Sequence, residues 1–198
     1  MSFTDNFGHP RGLLGHLMLI CMEREHRPMA EWGFAQFKIP ENADVLDIGC
    51  GGGYNLKRIL ERCPNGKAYG LDISEESVKR AKAVNKRELG KRVEIIRGGV
   101  EKMPFQDARF DLATAFETVF FWPDPAGNFK EVYRVLKAGG SFAVINNYGD
   151  PKIDWEKKIP CMTRYTAERI ASFLSGSGFI NVKISQKGNL FCVIGQKA

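Results

Sequence analysis

A cluster of glycines with an embedded acid is the feature of this chain best suited to chemistry. Residues 45–48 form an apolar run that contains Asp47, and Gly49, Gly51 and Gly53 follow it directly. Apolar residues then recur at helical spacing, so the pattern predicts a buried strand, a glycine turn and a helix. Because glycines have no side chains, a ligand can approach the backbone of the turn and the amide groups that begin the helix. The pattern therefore predicts a nucleotide-binding turn.

A second acid stands where such a nucleotide would place its sugar. Residues 67–72 predict the next strand, and Asp72 lies at its carboxyl end, about 20 residues beyond the glycines. A carboxylate suits a ribose because it accepts hydrogen bonds from two neighbouring hydroxyl groups. We therefore expect a cofactor that contains adenosine.

The spacing of the glycines separates two kinds of adenosine cofactor. A dinucleotide-binding turn has the pattern G-x-G-x-x-G/A, and Tyr54 occupies the position of its third small residue. The order of one acid and three alternate glycines, from Asp47 to Gly53, instead resembles motif I of the class I S-adenosylmethionine-dependent methyltransferases. A tight turn that binds no ligand is the structural alternative, and the acid at the end of the next strand argues against it.

Two further segments extend the resemblance. Residues 98–105 (GGVEKMPF) and 110–115 (FDLATA) are similar to the family's GDAExLPF…FDxV region. Residues 131–140 (EVYRVLKAGG) are similar to its E-x-x-R-V-L-K-P-G-G segment. Because order and spacing also match, from about residue 44 to residue 146, the chain is identified as a member of the type 11, quinone-methyltransferase-like subgroup.

The resemblance implies S-adenosylmethionine as cofactor and a set of residues that bind it. The family often has an aspartate at the position of Gly99, where it binds the exocyclic amine of adenine. Glycine cannot do this, so we expect adenine recognition from backbone groups near Val100 and apolar contacts of Ile73. The implied cofactor-binding residues are Asp47, Gly49, Cys50, Gly51, Gly53, Asp72, Ile73, Gly99, Val100, Glu101, Phe116 and Glu117.

The implied reaction is methyl transfer to a small-molecule acceptor by in-line displacement, which gives S-adenosylhomocysteine. Its rate depends mainly on alignment and on the exclusion of water, so the sequence need not contain a catalytic group. Glu117 and His26 are the two weak candidates; Glu117 would act as a base or, as we favour, bind the ammonium group of the cofactor. Phe120, Phe121 and Trp122 form either an apolar substrate wall or part of the core.

Other functions stay open from the sequence. A module that binds S-adenosylmethionine or S-adenosylhomocysteine without turnover has the same pattern, and an NAD-type oxidoreductase or an RNA methyltransferase is a weaker alternative. A net charge of +6 and the basic residues 79–92 leave a nucleic-acid partner open. That segment lacks the interleaved aromatic residues of a single-strand binder, and its mixed charges favour a solvated helix face.

The elements that must position these residues alternate along the chain. We expect an α/β fold, a Rossmann-like doubly wound sheet of seven strands with the last strand antiparallel, preceded by amino-terminal lid helices. The predicted single domain, residues 1–198, comprises a lid, residues 1–41, and a core, residues 42–198. Predicted strands are residues 44–48, 67–72, 92–97, 110–115, 140–146, 181–186 and 190–196; predicted helices are residues 55–63, 75–89, 125–137 and 166–175.

Local signals predict where several of these elements begin and end. Ser74 and Asp124 are expected to cap the starts of two helices, and Pro125 follows the second cap. Gly139 and Gly140 are expected to stop a helix. The short segment 187–189 predicts a hairpin between the last two strands, which makes the last strand antiparallel.

Composition narrows the remaining properties. No apolar run reaches the roughly 20 residues needed to cross a bilayer. Five cysteines without paired spacing predict reduced thiols in a cytoplasmic protein. Three irregularly spaced histidines do not predict a metal site. We expect a monomer or a homodimer, and the identity of the methyl acceptor stays open.

Overall fold

A central sheet with helices on both faces organises the chain in the computed structural model, which describes residues 26–150 and 152–198. The strands are β1 Asp44–Ile48, β2 Lys67–Asp72, β3 Val93–Arg97, β4 Phe110–Phe116, β5 Leu136–Asn147, β6 Phe179–Lys187 and β7 Leu190–Lys197. The helices are α1 (residues 26–34), α2 Tyr54–Arg62, α3 Glu75–Val84, α4 Pro125–Val135, α5 Trp155–Lys158 and α6 Ala167–Gly176. Residues 119–121 form an additional 3-10 turn.

The described strands form one seven-stranded sheet in the order β3-β2-β1-β4-β5-β7-β6. Strands β1 to β5 pair in parallel, and β7 runs antiparallel to both β5 and β6. The predicted fold class and the terminal hairpin are therefore confirmed. Because the strand order reverses between β1 and β4, a crevice forms at their carboxyl ends, where open sheets of this kind bind ligands.

Successive residues of β1 explain why its sequence is almost entirely apolar. Val45 packs among residues of α1, α2 and α3, and Leu46 packs on the opposite face, among residues of α4 and α6. Because helices cover both faces of this parallel strand, successive residues on either face must be apolar. Asp47 is 1% exposed within this strand, so its carboxyl group is an exception that needs a reason.

The helix predicted over residues 75–89, which corresponds to α3, was predicted five residues too long. Helix α3 ends at Val84, and Asn85 follows as its C-cap. The buried Asn85 Nδ2 donates to the carbonyl oxygens of Ala81, at 2.9 Å, and Gly53, at 2.8 Å. The side chain thus satisfies a carbonyl of the last turn and ties the helix end to the glycine turn, a contact that helical spacing alone cannot reveal.

The prediction that Gly139 and Gly140 stop a helix was wrong. Helix α4 ends at Val135, and β5 begins at once with Leu136, which pairs with Phe110 of β4. Gly139, with φ of 76°, lies within β5, close to the place where its pairing with β4 shifts register. The glycines therefore accommodate an irregularity in a strand, and pairing with β4 rather than local sequence ends the helix.

The two predicted helix caps have different outcomes. Ser74 Oγ accepts a hydrogen bond from the backbone N–H of Ser77, at 3.3 Å, and the prediction is confirmed. Asp124 occupies the N-cap position of α4, as predicted, although its side chain makes no capping hydrogen bond. Pro125 supplies the first turn with a residue whose backbone needs no hydrogen-bond acceptor. Within the described part of the chain, no helix is long and apolar enough to cross a membrane.

Candidate active site

A cavity of about 380 Å³ opens at the carboxyl ends of the parallel strands, next to the point where the strand order reverses. Its volume lies in the range usual for small-molecule sites. Helix α1 and the segments that follow β1, β2, β3 and β4 contribute its lining. Among the lining residues are these predicted members of the site: His26, Gly49, Cys50, Gly51, Asp72, Ile73, Gly99, Val100, Glu101, Phe116 and Glu117.

The glycine turn is held to the end of β2 by backbone hydrogen bonds. The Gly49 N–H donates to the carbonyl of Leu71 at 2.7 Å, and the Gly51 N–H donates to Asp72 Oδ2 at 2.8 Å. Gly49 has φ of +74°, and a Cβ there would lie 2.4 Å from Cγ2 of Thr118. Only glycine fits this backbone position, because both its conformation and its surroundings exclude a side chain.

Asp72 is fixed in orientation by the turn that it supports. Its Oδ2 accepts from Gly51, and its Oδ1 accepts from the backbone N–H of Ser74 at 2.9 Å. Each oxygen of an ionised carboxylate can accept a further hydrogen bond. The side chain lines the cavity, so it can present both oxygens to a pair of hydroxyl groups without moving.

Gly53 lies behind the cavity lining and packs between helices. It has φ of +77°, and a Cβ there would lie 2.7 Å from the Cβ of Ala81 in α3. Its carbonyl accepts the side-chain amide of Asn85. Gly53 therefore brings α2 and α3 together at the end of the turn, rather than facing a ligand.

Asp47 is also placed behind the lining, and its environment is unusual for an acid. Its Oδ1 accepts from the Thr114 hydroxyl at 2.8 Å, and its Oδ2 is buried without a hydrogen-bond partner among the described residues. Burial, with a smaller contribution from the negative charge of Asp72, raises the pKa of Asp47 to about 7, and the Thr114 hydrogen bond opposes this shift. The group can therefore exchange a proton near neutral pH.

Glu117 stands at the end of β4, where the chain leaves the sheet. Its φ of 57° is rare for a residue with a side chain and signals local backbone strain. Its carboxyl group accepts the backbone N–H of Asn147, at the end of β5. Burial raises the pKa of Glu117 to about 8, and the hydrogen bond from Asn147 opposes this shift. The cavity thus contains a carboxyl group that is largely protonated at neutral pH.

Cys50, the non-glycine residue inside the turn, is buried against β2. A Cβ added to Gly70 would lie 2.8 Å from Cys50 Sγ, which shows how closely the thiol packs on that strand. Burial raises the pKa of the Cys50 thiol well above its ordinary value, and the negative charges of Asp72 and Asp47 add to this effect. A neutral, packed thiol is a poor nucleophile, so Cys50 acts here as a small residue that fills space in the turn.

Helix α1 covers one side of the cavity and is tied to α2. His26, Met29 and Ala30 line the cavity. Glu31 bonds the mostly buried Arg58 at 3.0 Å and Arg62 at 2.9 Å. Helix α1 belongs to the segment predicted as a lid, residues 1–41, of which residues 1–25 lie outside the described residues.

The aromatic run after β4 divides between the two roles that the sequence left open. Phe121 and Trp122 line the cavity, whereas Phe120 is 2% exposed and belongs to the core.

Sequence reasoning missed two polar residues of β4 and β5 or the segments that follow them. Thr118, which lines the cavity, donates its hydroxyl to the Ile48 carbonyl at 3.1 Å. Asn146 of β5 is fully buried, and its side-chain oxygen and nitrogen have no hydrogen-bond partner among the described residues. A polar residue at the end of an apolar strand was the available signal.

The basic segment 79–92 is partly used inside the fold. Arg92 donates to the carbonyl oxygens of Gly66, at 3.0 Å, and Cys63, at 2.6 Å. Lys79 pairs with Glu75 at 2.9 Å, and Arg80 bonds the Tyr54 hydroxyl at 2.8 Å. These contacts favour the interpretation of a structural and solvated face over a nucleic-acid site.

The charge of the cavity favours a cationic ligand. Among the described lining residues, three carry carboxyl groups, Asp72, Glu101 and Glu117, and His26 carries the one basic side chain. Acidic walls around a cavity concentrate cations and disfavour anions. No group of three residues that could bind a metal ion occurs within residues 26–150 and 152–198.

Comparisons with known proteins point to one family. Residues 46–144, half of the chain, match a family model described as a methyltransferase domain. The chain is 26% identical to the uncharacterized methyltransferase YdaC of Bacillus subtilis over 166 residues, which cover 84% of this chain and 87% of that protein.

A second relative is shorter in its match but more similar in sequence. The chain is 36% identical to the demethylmenaquinone methyltransferase of Lactiplantibacillus plantarum over 116 residues, which cover 58% of this chain and 49% of that protein. A crystal structure of a SAM-dependent methyltransferase from Aquifex aeolicus superposes with a TM-score of 0.76 at 20% identity, covering 92% of this chain and 98% of that one. At this identity, the superposition shows a shared fold.

Proposed function

Since the chain belongs to the methyltransferase-domain family, we propose that it transfers a methyl group to a small-molecule acceptor by in-line displacement. S-adenosylmethionine is the methyl donor, as in the S-adenosylmethionine-dependent methyltransferases that share its fold. The observation that carries the proposal is that the predicted cofactor-binding residues and a set of aromatic residues line the same cavity. The glycine turn and Asp72 line one part of it, and Phe116, Phe121 and Trp122 line another.

The described residues fit S-adenosylmethionine. The unpartnered Asp47 Oδ2 behind the glycine turn is an acceptor that suits the ammonium group of the methionine end, directly or through a water molecule. The fixed carboxylate of Asp72 suits the ribose hydroxyls, and the acidic lining suits the net positive charge of the cofactor. An ammonium group beside Glu117 would favour the ionised form of its carboxyl group, which would then balance the ammonium charge.

The chain's own residues would contribute to the reaction mainly by aligning the reactants and by excluding water. When bound, S-adenosylmethionine supplies an electrophilic methyl group on a sulfonium sulfur, and loss of that group leaves neutral sulfur. Helix α1 and Trp122 border the cavity and would keep water from the acceptor. An acceptor that must lose a proton could give it to His26 or to ionised Glu117, both of which line the cavity.

The acceptor side supports a molecule with an apolar portion. Met29, Phe116, Phe121 and Trp122 give the lining next to Glu117 a largely apolar character. The demethylmenaquinone methyltransferase among the relatives is named for a small-molecule acceptor. A concave cavity bordered by aromatic side chains favours such a molecule over a nucleic-acid or protein chain.

Transfer of a labelled methyl group tests this proposal. The protein is incubated with methyl-labelled S-adenosylmethionine and, in separate reactions, a low-molecular-mass cell extract, total RNA and total protein. Label in the extract, absent with Asp72→Ala, is the expected result. Label in RNA or protein alone would contradict the acceptor class, and tight binding without transfer to any pool would favour a binding module without turnover.

A further inference from the structure

We infer that Glu101 recognises the exocyclic amino group of the cofactor's adenine, from a position that a side chain at residue 99 would otherwise occupy. The inference rests on S-adenosylmethionine as the ligand of the cavity. It assigns base recognition to a side-chain carboxylate, whereas the sequence pointed to backbone groups and apolar contacts.

The first observation is the space above Gly99. A Cβ at Gly99 would lie 2.0 Å from Oε2 of Glu101 and 3.1 Å from its Cδ. The glutamate side chain therefore folds back over the glycine and places its carboxylate where a side chain of residue 99 would begin. Both residues line the cavity, so the carboxylate stands at its edge.

The second observation is the apolar surface beside that carboxylate. Val100 and Leu71 are buried, whereas Ile73 is 44% exposed, and all three line the same cavity. An exposed isoleucine beside a buried apolar floor suits the face of a flat base. Ile73 directly follows Asp72, so a ribose held by Asp72 places its base next to this surface.

The third observation concerns the other carboxyl groups of the lining. The bonds from Gly51 and Ser74 fix Asp72 at the position proposed for the ribose, and Glu117 is bonded to Asn147 at the end of β5. Glu101 follows β3, which pairs in parallel with β2, the strand that ends at Asp72. An ionised carboxylate is an acceptor only, so it bonds an amino group and repels a carbonyl group at the same position.

The inference predicts a preference that a pair of ligands measures directly. Isothermal titration compares S-adenosylhomocysteine with S-inosylhomocysteine, its deaminated analogue, in which a carbonyl replaces the amino group and the neighbouring N1 carries a hydrogen. The wild-type protein is expected to prefer S-adenosylhomocysteine at least about tenfold, as for a charge-assisted hydrogen bond. Glu101→Ala should lose most of this preference, and Glu101→Gln should narrow it, because an amide can donate to a carbonyl.

A double variant separates recognition from a general effect on the cavity. Gly99→Asp combined with Glu101→Ala supplies a carboxylate at residue 99 in the vacated space and should restore the preference. Because Glu101 is exposed, Glu101→Ala and the double variant should fold, which thermal denaturation checks. An undiminished preference in Glu101→Ala, or an equal loss of affinity for both ligands, would overturn this inference alone. Failure of the wild-type protein to bind S-adenosylhomocysteine would overturn the proposed function and this inference with it.

Discussion

Two carboxyl groups, Asp47 and Glu117, lie in surroundings that oppose their ionisation. Burial raises the pKa of Asp47 to about 7 and that of Glu117 to about 8, from ordinary values of 3.8 and 4.5. At a pH between its ordinary and its raised pKa, each of these carboxyl groups has lost its proton in the unfolded chain but keeps it in the folded protein. The contribution of these two groups to stability therefore falls as pH rises from about 4 towards 8, since in the folded state they bind more protons throughout that interval.

Glu117→Gln should flatten this pH dependence. The neutral amide keeps the shape and an oxygen for the Asn147 N–H, but it no longer ionises in the unfolded chain. The slope of the unfolding free energy between pH 5 and 7 should decrease by up to about 1.4 kcal/mol per pH unit, as urea denaturation at several pH values measures. Glu41→Gln, at an exposed position, is the matched control. An unchanged slope in Glu117→Gln would mean that the group is ionised in the folded protein.

Asp72→Ala should weaken S-adenosylmethionine binding at least about tenfold while the fold is kept. The substitution removes the proposed acceptor of the ribose hydroxyls and also releases the N–H groups of Gly51 and Ser74. Asp72→Asn keeps one acceptor oxygen and should lose less affinity. Isothermal titration gives the affinities, and thermal denaturation reports the fold. Equal affinity in wild type and Asp72→Ala would remove Asp72 from the site.

At the scale of elements, the link between α1 and α2 determines how one wall of the cavity is held. Arg58 is 8% exposed, and its guanidinium group donates to Glu31 at 3.0 Å and to Asn55 at 3.1 Å. Removing a charged partner from a buried guanidinium costs more than breaking an exposed pair. The Glu31 contacts should therefore contribute to stability and to the position of α1.

Glu31→Gln should lower the unfolding free energy by about 1–2 kcal/mol and weaken S-adenosylmethionine binding. The expected cause is the loss of the ion pairs that Glu31 of α1 makes with Arg58 and Arg62 of α2, which loosens α1 over the cavity. Glu75→Gln, which breaks an exposed pair with Lys79, is the control and should change neither quantity appreciably. If Glu31→Gln and Glu75→Gln behave alike in urea denaturation and titration, the link has no such role.

Elements with a strong local signal could be predicted from the sequence, and elements ended by distant contacts could not. The glycine turn and the terminal hairpin follow from residues next to one another, and both are confirmed by the structure. The ends of α3 and α4 depend on Asn85 reaching the Gly53 carbonyl and on Leu136 pairing with Phe110. Spacing along the chain contains no record of such partners.

At the scale of the whole molecule, the strand order explains why separated motifs meet. Asp47, Asp72 and Glu117 lie far apart in sequence, but each stands at or near the carboxyl end of a parallel strand, and β2, β1 and β4 are neighbours. A sequence that predicts parallel strands thus predicts which residues converge. The sequence does not predict which of these residues face the cavity. Asp47 and Gly53 lie behind the cavity lining. The position of the Glu101 side chain over Gly99 depends on side-chain geometry that a motif does not specify.

Isothermal titration of the wild-type protein with S-adenosylmethionine, S-adenosylhomocysteine and NAD⁺ in parallel tests the central claim most directly. The acidic cavity, the Asp72 carboxylate and the family predict micromolar binding of the first two ligands and no binding of NAD⁺. Binding of NAD⁺ alone, or of none of the three, would contradict the assignment of this cavity to S-adenosylmethionine.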